Sequence, residues 1–184
     1  MKIILASQSP RRRELLSLIT PDFEIDVPTG EETCPEKLQL YERPQFLALE
    51  KAREVALRHL DDIIIAADTA VFCDDKMLGK PRDEKEAREM LSLLSGRTHV
   101  VITGCAVKSS KGEQVFGVST EVEFYPLDND TIDWYVKTGE PLDKAGAYGI
   151  QGRGAVLVRG IKGDYFNVVG LPVAQLNLAL KKSI

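Results

Sequence analysis

Short, unbroken apolar runs alternate along this chain with longer stretches whose apolar residues return every three or four positions. The first pattern suits a strand buried on both faces, the second a helix with one buried stripe. Lys2 to Ala6 reads as such a strand. Ser9-Pro10 then opens a helix through about Leu18, with serine as N-cap and proline at the first helical position. Phe23 to Val27 is a candidate second strand. Glu42 to His59 is helical, with Phe46, Leu49, Ala52, Ala56 and Leu57 close to one face. Ile63 to Ala67 is an apolar run of the central parallel kind, followed by Val71-Phe72 and an Asp74-Asp75 turn.

The second half continues the alternation. Asp83 with Glu86 predicts a capping box for a helix to about Leu94, stopped by Gly96. His99 to Val107 and Gln114 to Tyr125 read as a long antiparallel pair across the turn from Ser109 to Gly112. Glu121-Val122-Glu123-Phe124 gives that pair one wet and one buried face. Asp128 caps a helix holding Trp134 and Tyr135, ended by Gly139, and a glycine-rich loop runs from Asp143 to Gly154. Ala155 to Val158 reads as a strand, Gly160 to Gly163 as a turn and Tyr165 to Val169 as a further strand. Pro172 starts a last helix whose Lys181-Lys182 suits its negative pole. With no repeat, linker or low-complexity tract, residues 1–184 read as one α/β domain with a mixed sheet.

Composition narrows the function. A net charge of −4 gives no general attraction to nucleic acid or an anionic membrane, so any bound anion must meet a local positive cluster. No run approaches the ~20 apolar residues of a membrane span, and the apolar start is too short for a signal peptide. Cys34, Cys73 and Cys105 lack pairing or metal spacing and read as free thiols, mostly small buried hydrophobes, in a reducing cytoplasm. No nucleic-acid or membrane partner is expected, and self-association, if any, would be as a homodimer.

Four segments could carry chemistry. Ser7-Gln8-Ser9-Pro10-Arg11-Arg12-Arg13 places three arginines in a first helical turn, where the dipole is already positive. Such a turn either fans its arginines into solvent or waits for a polyanion. Asp68 follows an apolar strand and would lie at the carboxyl end of the sheet, where it could hold Mg²⁺, act as general base, or simply cap a turn. Gly79-Lys80-Pro81-Arg82 and Lys51 offer cations that base rates would leave in solvent. In the 143–154 stretch Gln151 could read a base edge, though glycine richness alone is also an ordinary turn. There is no P-loop, GxGxxG, GxSxG or HExxH, and only two histidines, so a hydrolase here would use carboxylates, Lys, Arg and a hard metal.

In this order and spacing the segments resemble the Maf family of nucleotide pyrophosphatases. The matching residues are Leu5 to Arg12, Glu50-Lys51-Ala52, Ala67-Asp68-Thr69, Gly79-Lys80-Pro81, Leu94-Ser95-Gly96, Glu140 to Gly152 and Val169-Gly170-Leu171-Pro172. The resemblance implies a fold like that of inosine-triphosphate pyrophosphatases: a long twisted mixed sheet flanked by helices, with two lobes and a cleft. It implies hydrolysis of dTTP or UTP to monophosphate and pyrophosphate, aided by Mg²⁺ or Mn²⁺. It further implies a role in cleansing the nucleotide pool of normal or modified pyrimidine nucleotides, and a link to septum formation. Asp68 matches the proton acceptor. Ser7, Arg12, Lys51 and Lys80 are the phosphate-binding candidates. Glu32 matches an acidic residue of the cleft and, with Asp68, is the candidate metal pair. Arg11, Thr69 and Gln151 match positions that separate substrate classes and resemble the dTTP/UTP branch. Ala70 departs from the family, where a larger aliphatic residue is commoner.

Overall fold

Every strand among the described residues joins one mixed sheet. The structure, a computed structural model, describes residues 1–183. The strands are β1 (Ile3–Leu5), β2 (Glu24–Ile25), β3 (Ile63–Cys73), β4 (Lys76–Leu78), β5 (Thr98–Ser109), β6 (Gly112–Phe124) and β7 (Val158–Lys162), in the order β2-β1-β3-β5-β6-β7 with β4 paired to β3. The helices are α1 (Pro10–Ser17), α2 (Arg43–Ala56), α3 (Glu84–Leu94), α4 (Asn129–Val136), α5 (Tyr165–Val169) and α6 (Val173–Ser183). Two compact units share the chain: residues 1–69, 103–118 and 170–184 form the first, and residues 70–102 and 119–169 the second. No described helix is long and apolar enough to cross a membrane.

In the first unit β1 lies parallel between β2 and β3, with Leu5 opposite Ile65. Ile4, Ala6, Ile64, Ala66 and Ala106 meet Ala48, Ala52, Val55 and Ala56 of α2 to form its core. The small residues of α2 recur at i, i+4, i+7 and i+8, which turns one narrow stripe to the sheet. Leu57, placed on that stripe by spacing, is instead 77% exposed, because the helix ends at Ala56. The N-cap of α1 is as the sequence indicates: Ser9 Oγ accepts the Arg12 N–H at 3.4 Å. Cys105 is buried and its thiol pushed up to about 12 by that burial, so it is an inert filler.

The second unit packs α3 and α4 on β3, β5 and β6 through Val71, Leu91, Leu94, Val101, Phe124, Tyr135 and Leu157. Val122 and Phe124 of β6 are buried while Glu121 is exposed, as the alternation requires. Asp83 caps α3 through the Glu86 N–H at 2.8 Å, but the expected reciprocal bond is displaced by one residue. The Glu86 carboxylate accepts from the main-chain N–H of Arg82, and its guanidinium bonds the same oxygen.

Three expectations are corrected. The segment 155–158 belongs mostly to a 3₁₀ turn over Gly152–Leu157, and the strand is Val158–Lys162, extending through the expected turn at Gly160. Pairing with β6 overrides the glycine, aided by a bulge at Glu123/Phe124. Residues 165–169 are helix rather than strand despite their β-prone composition. Asp164 Oδ1 accepts the Phe166 N–H at 2.8 Å, which closes a helical turn, and buried Asn167 donates to Val101 O and Thr120 Oγ1. Finally, β3 does not end at Ala67: Val71, Phe72 and Cys73 carry it on to the Asp74-Asp75 turn. Asp68 is therefore inside a strand.

His99 is buried in a cluster of edge-to-face rings with Phe124 and Tyr148, and its Nε2 meets the Tyr148 hydroxyl at 2.7 Å. Burial lowers its pKa from 6.5 to about 4, so the folded protein keeps it neutral where the unfolded chain would protonate it. Its contribution to stability is thus present above pH 6.5 and lost as pH falls toward 4. His99→Gln, which retains a partner for Tyr148 but cannot titrate, is expected to flatten that loss. Urea unfolding at pH 7 and pH 4.5 checks it: an unchanged pH slope in the variant would assign the acid sensitivity to other groups.

Candidate active site

The parallel ladder between β1 and β3 ends at Leu5 and Ile65, after which β1 turns away into α1. Asp68 and Thr69 lie on β3 beyond that end, within the same unit as the first turn of α1. The position is the usual one for ligands in α/β sheets, although the strand itself continues past it.

Arg12 is the centre of one cluster. Its Nε donates to Gly170 O at 2.9 Å, Nη2 to Thr69 Oγ1 at 3.1 Å and Nη1 to Ser7 Oγ at 3.4 Å. Thr69 Oγ1 in turn meets Thr103 Oγ1 at 2.9 Å. All three acceptors of the guanidinium are neutral, and among the described residues no carboxylate pairs with it. Burial disfavours its charge and lowers its pKa, with Asp68 the leading opposing influence. Of five guanidinium N–H groups, two remain uncommitted. Ser7 is buried and its oxygen accepts from Arg12 and from the Ser9 N–H at 3.2 Å, leaving its own proton without a described acceptor. Spare donors, a fixed cation and the N-terminus of α1 are groups able to receive an anion.

Lys51 is the centre of the other cluster. Spaced along α2 so that Ala52 and Val55 face the sheet, it is half-buried and bonds Asp68 Oδ1 at 2.7 Å and Glu32 Oε1 at 2.8 Å. The Lys51 and Asp68 side chains are 12% and 17% exposed, Glu32 is 55% exposed. The second oxygens of Asp68 and Glu32 have no described partner. Beside them a hollow of about 410 Å³ is lined by Glu32, Thr33, Leu47, Lys51 and Glu54. An ammonium held between two carboxylates shows that this spot accommodates a cation. Two carboxylates with phosphate and water completing the shell are what a hard divalent ion takes, so the donor set fits Mg²⁺ or Mn²⁺. No group of three or more His, Cys, Asp or Glu that could hold a metal occurs among the described residues.

The second unit holds the remaining candidates. Lys80 is exposed in the turn after β4, and its ammonium has no carboxylate partner among the described residues. Gly79 O accepts the Gly146 N–H at 3.0 Å, stitching that turn to the glycine-rich segment. Arg82, by contrast, is occupied by Glu86. Gln151 is half-buried and its amide makes no hydrogen bond to any described residue. Arg11 is half-buried on α1.

Sequence reasoning did not reach Thr103, a polar residue at 0% exposure within the apolar run of β5. A hydroxyl in such a run signals a buried partner, but which partner is settled only by the pairing of strands. Thr69 has its hydroxyl oxygen bonded to Arg12 and to Thr103.

The sequence pattern of Maf-like proteins matches residues 2–183. The chain belongs to the Maf family. Among curated Maf relatives, the dTTP/UTP pyrophosphatase of Bacillus cytotoxicus is 51% identical over 98% of this chain and 95% of its own length. That of Halalkalibacterium halodurans is 49% identical over 97% and 94%. Among solved structures, the Ham1 protein of Staphylococcus aureus covers all of both chains with a TM-score of 0.54 at 14% identity. A HAM1 protein from Coxiella burnetii covers 99% of each with a TM-score of 0.53 at 19% identity. At such identities the likeness is one of fold, and it agrees with the mixed sheet flanked by helices of this Maf protein.

Proposed function

We propose that this protein is a nucleoside triphosphate pyrophosphatase that cleaves dTTP, UTP and modified pyrimidine relatives to the monophosphate and pyrophosphate. The observation that carries the reading is the joint presence, in one unit, of an anion site around Arg12 and of Asp68 with one oxygen fixed by Lys51 and the other uncommitted. The names of relatives about 50% identical over nearly the whole chain support the substrate.

In this reading Asp68 Oδ2 takes a proton from water as the water oxygen bonds to the α-phosphorus. The bond from the α-phosphorus to the bridging oxygen breaks, and its electron pair leaves with pyrophosphate. Arg12, Lys51 and the Ser7 hydroxyl meet the phosphate oxygens and offset the charge that moves onto the leaving group, a role that the family resemblance gives to Lys80 as well. Glu32 and Asp68 would hold the divalent cation, which when bound supplies further charge neutralisation on the phosphates. Gln151 would read the base through its uncommitted amide, with Arg11 and Thr69 shaping the discrimination. The cellular role that fits is removal of unwanted pyrimidine nucleotides; an effect on septum formation that survives in Asp68→Asn would instead rest on a binding function.

Products decide the reaction. With dTTP or UTP and Mg²⁺ or Mn²⁺ in ¹⁸O-water, the protein is expected to release pyrophosphate and place the label in the monophosphate. Orthophosphate with a diphosphate product would replace this reading by γ-phosphate hydrolysis, and absence of turnover with either metal would remove the enzymatic reading altogether.

A further inference from the structure

Gln151 sits in a segment whose backbone is pinned two residues before it and two residues after it. The Gly149 N–H donates to the Tyr135 hydroxyl at 3.1 Å, and the Arg153 N–H donates to both Glu140 carboxylate oxygens at 3.2 Å. Gly152, at φ +64°, brings its backbone so close to Glu140 that a Cβ there would lie 3.1 Å from Oε1. Lys144 Nζ donates to the Glu140 main-chain oxygen at 2.7 Å, and its stem lies against Gly149, where a Cβ would meet Cε at 2.8 Å. Tyr135 is fully buried on α4, and its hydroxyl is pushed up to about 12 by burial first, with the Glu140 carboxylate adding to the effect. Glu140 and Tyr135 thus act together on the two ends of the same five-residue stretch. The side chain between those ends has no hydrogen bond of its own.

We infer that Glu140 is a positioning residue for base recognition, holding the backbone around Gln151 so that its amide is presented in one fixed place. The inference rests on Gln151 reading the base. A glycine-rich stretch without such pins would sample many conformations, and the cost of ordering it would fall on the substrate whose base the Gln151 amide binds, not on one that makes no bond to it. A carboxylate accepting two bonds from one N–H is a charge-assisted anchor, stronger than a water contact that could replace it.

The test compares Glu140→Ala, Glu140→Gln and Gln151→Ala. Glu140→Ala is expected to lower the kcat/KM preference for dTTP over GTP about tenfold, mainly through KM for dTTP, with inhibition by inorganic pyrophosphate unchanged. Amide hydrogen exchange at Gly149 and Arg153 should quicken in the same variant. Glu140→Gln, which keeps an acceptor oxygen, should restore most of the preference. Should Glu140→Ala fail to fold, Tyr135→Phe removes the Gly149 acceptor and the hydroxyl that bonds the Glu140 carboxylate, and carries the same expectation. Selectivity lost in Gln151→Ala but intact in the Glu140 and Tyr135 variants would overturn the inference while leaving the base-reading role standing. If Gln151→Ala itself leaves selectivity unchanged, that role is wrong and the inference falls with it.

Discussion

Asp68→Asn is expected to reduce kcat for dTTP by about 10²- to 10⁴-fold, the range for loss of a general base, while KM and thermal stability change little. The substitution keeps size and shape, and its amide oxygen can still accept the Lys51 bond now made at 2.7 Å by Oδ1. Lys51 also keeps Glu32 at 2.8 Å, so no buried ammonium is left bare. At saturating divalent metal, which offsets the loss of one carboxylate from the proposed cation pair, what is removed is the ability of the second atom to take a proton. Steady-state kinetics beside thermal unfolding of both proteins separates the two effects. A variant retaining more than about a tenth of wild-type kcat would mean that another group activates the water.

A second large effect is expected far from any reacting atom. Gly104, buried in β5, lies against the first turn of α2 so closely that a Cβ would overlap the main chain of Pro44 and Gln45. These are backbone atoms and cannot swing away as a side-chain tip could. Gly104→Ala is therefore expected to destabilise the protein by about 3 kcal/mol, at the upper end for overpacking. In a chain of this size that lowers Tm by roughly 6–12 °C. Because α2 carries Lys51, the displacement should also loosen the Lys51–Asp68 pair and reduce activity at temperatures where the variant is still folded. Urea and thermal unfolding measure the first effect. A loss below about 1 kcal/mol would show that strand and helix do not approach as closely as described.

Near-neighbour signals in the chain were enough for α1 with its Ser9 cap, for the small-residue stripe of α2, for α3 starting at Asp83, and for the alternating face of β6. The apolar run from Ile63 marked the central strand, and the cluster of arginines after Ser9 marked a candidate anion site, because charge against a helix dipole is a local contradiction visible without coordinates. Local chemistry left Asp68, Lys51 and Gln151 open between function and ordinary turns or solvent, and Glu32 became a candidate through family resemblance alone.

Other features depended on residues far apart in sequence. Tyr165 to Val169 favours a strand by composition, and became a helix because Asp164 closes its first turn and Asn167 reaches Val101 and Thr120. The glycine at 160 suggested a turn, and pairing with β6 kept it in β7. Likewise, Lys51 reads from sequence as a surface residue or phosphate contact, yet its ammonium already bridges two carboxylates. The helix-dipole argument treats the three arginines alike, yet Arg12 is seated on Gly170, Thr69 and Ser7, residues up to 158 positions away. The sequence by itself determined the periodicities, the caps and the inventory of charged groups, since each depends on neighbours within a few residues. Only the tertiary structure decided which donor meets which acceptor, because that is a matter of strand order and helix placement, where the partners are brought together by burial of apolar faces rather than by anything in their own surroundings along the chain.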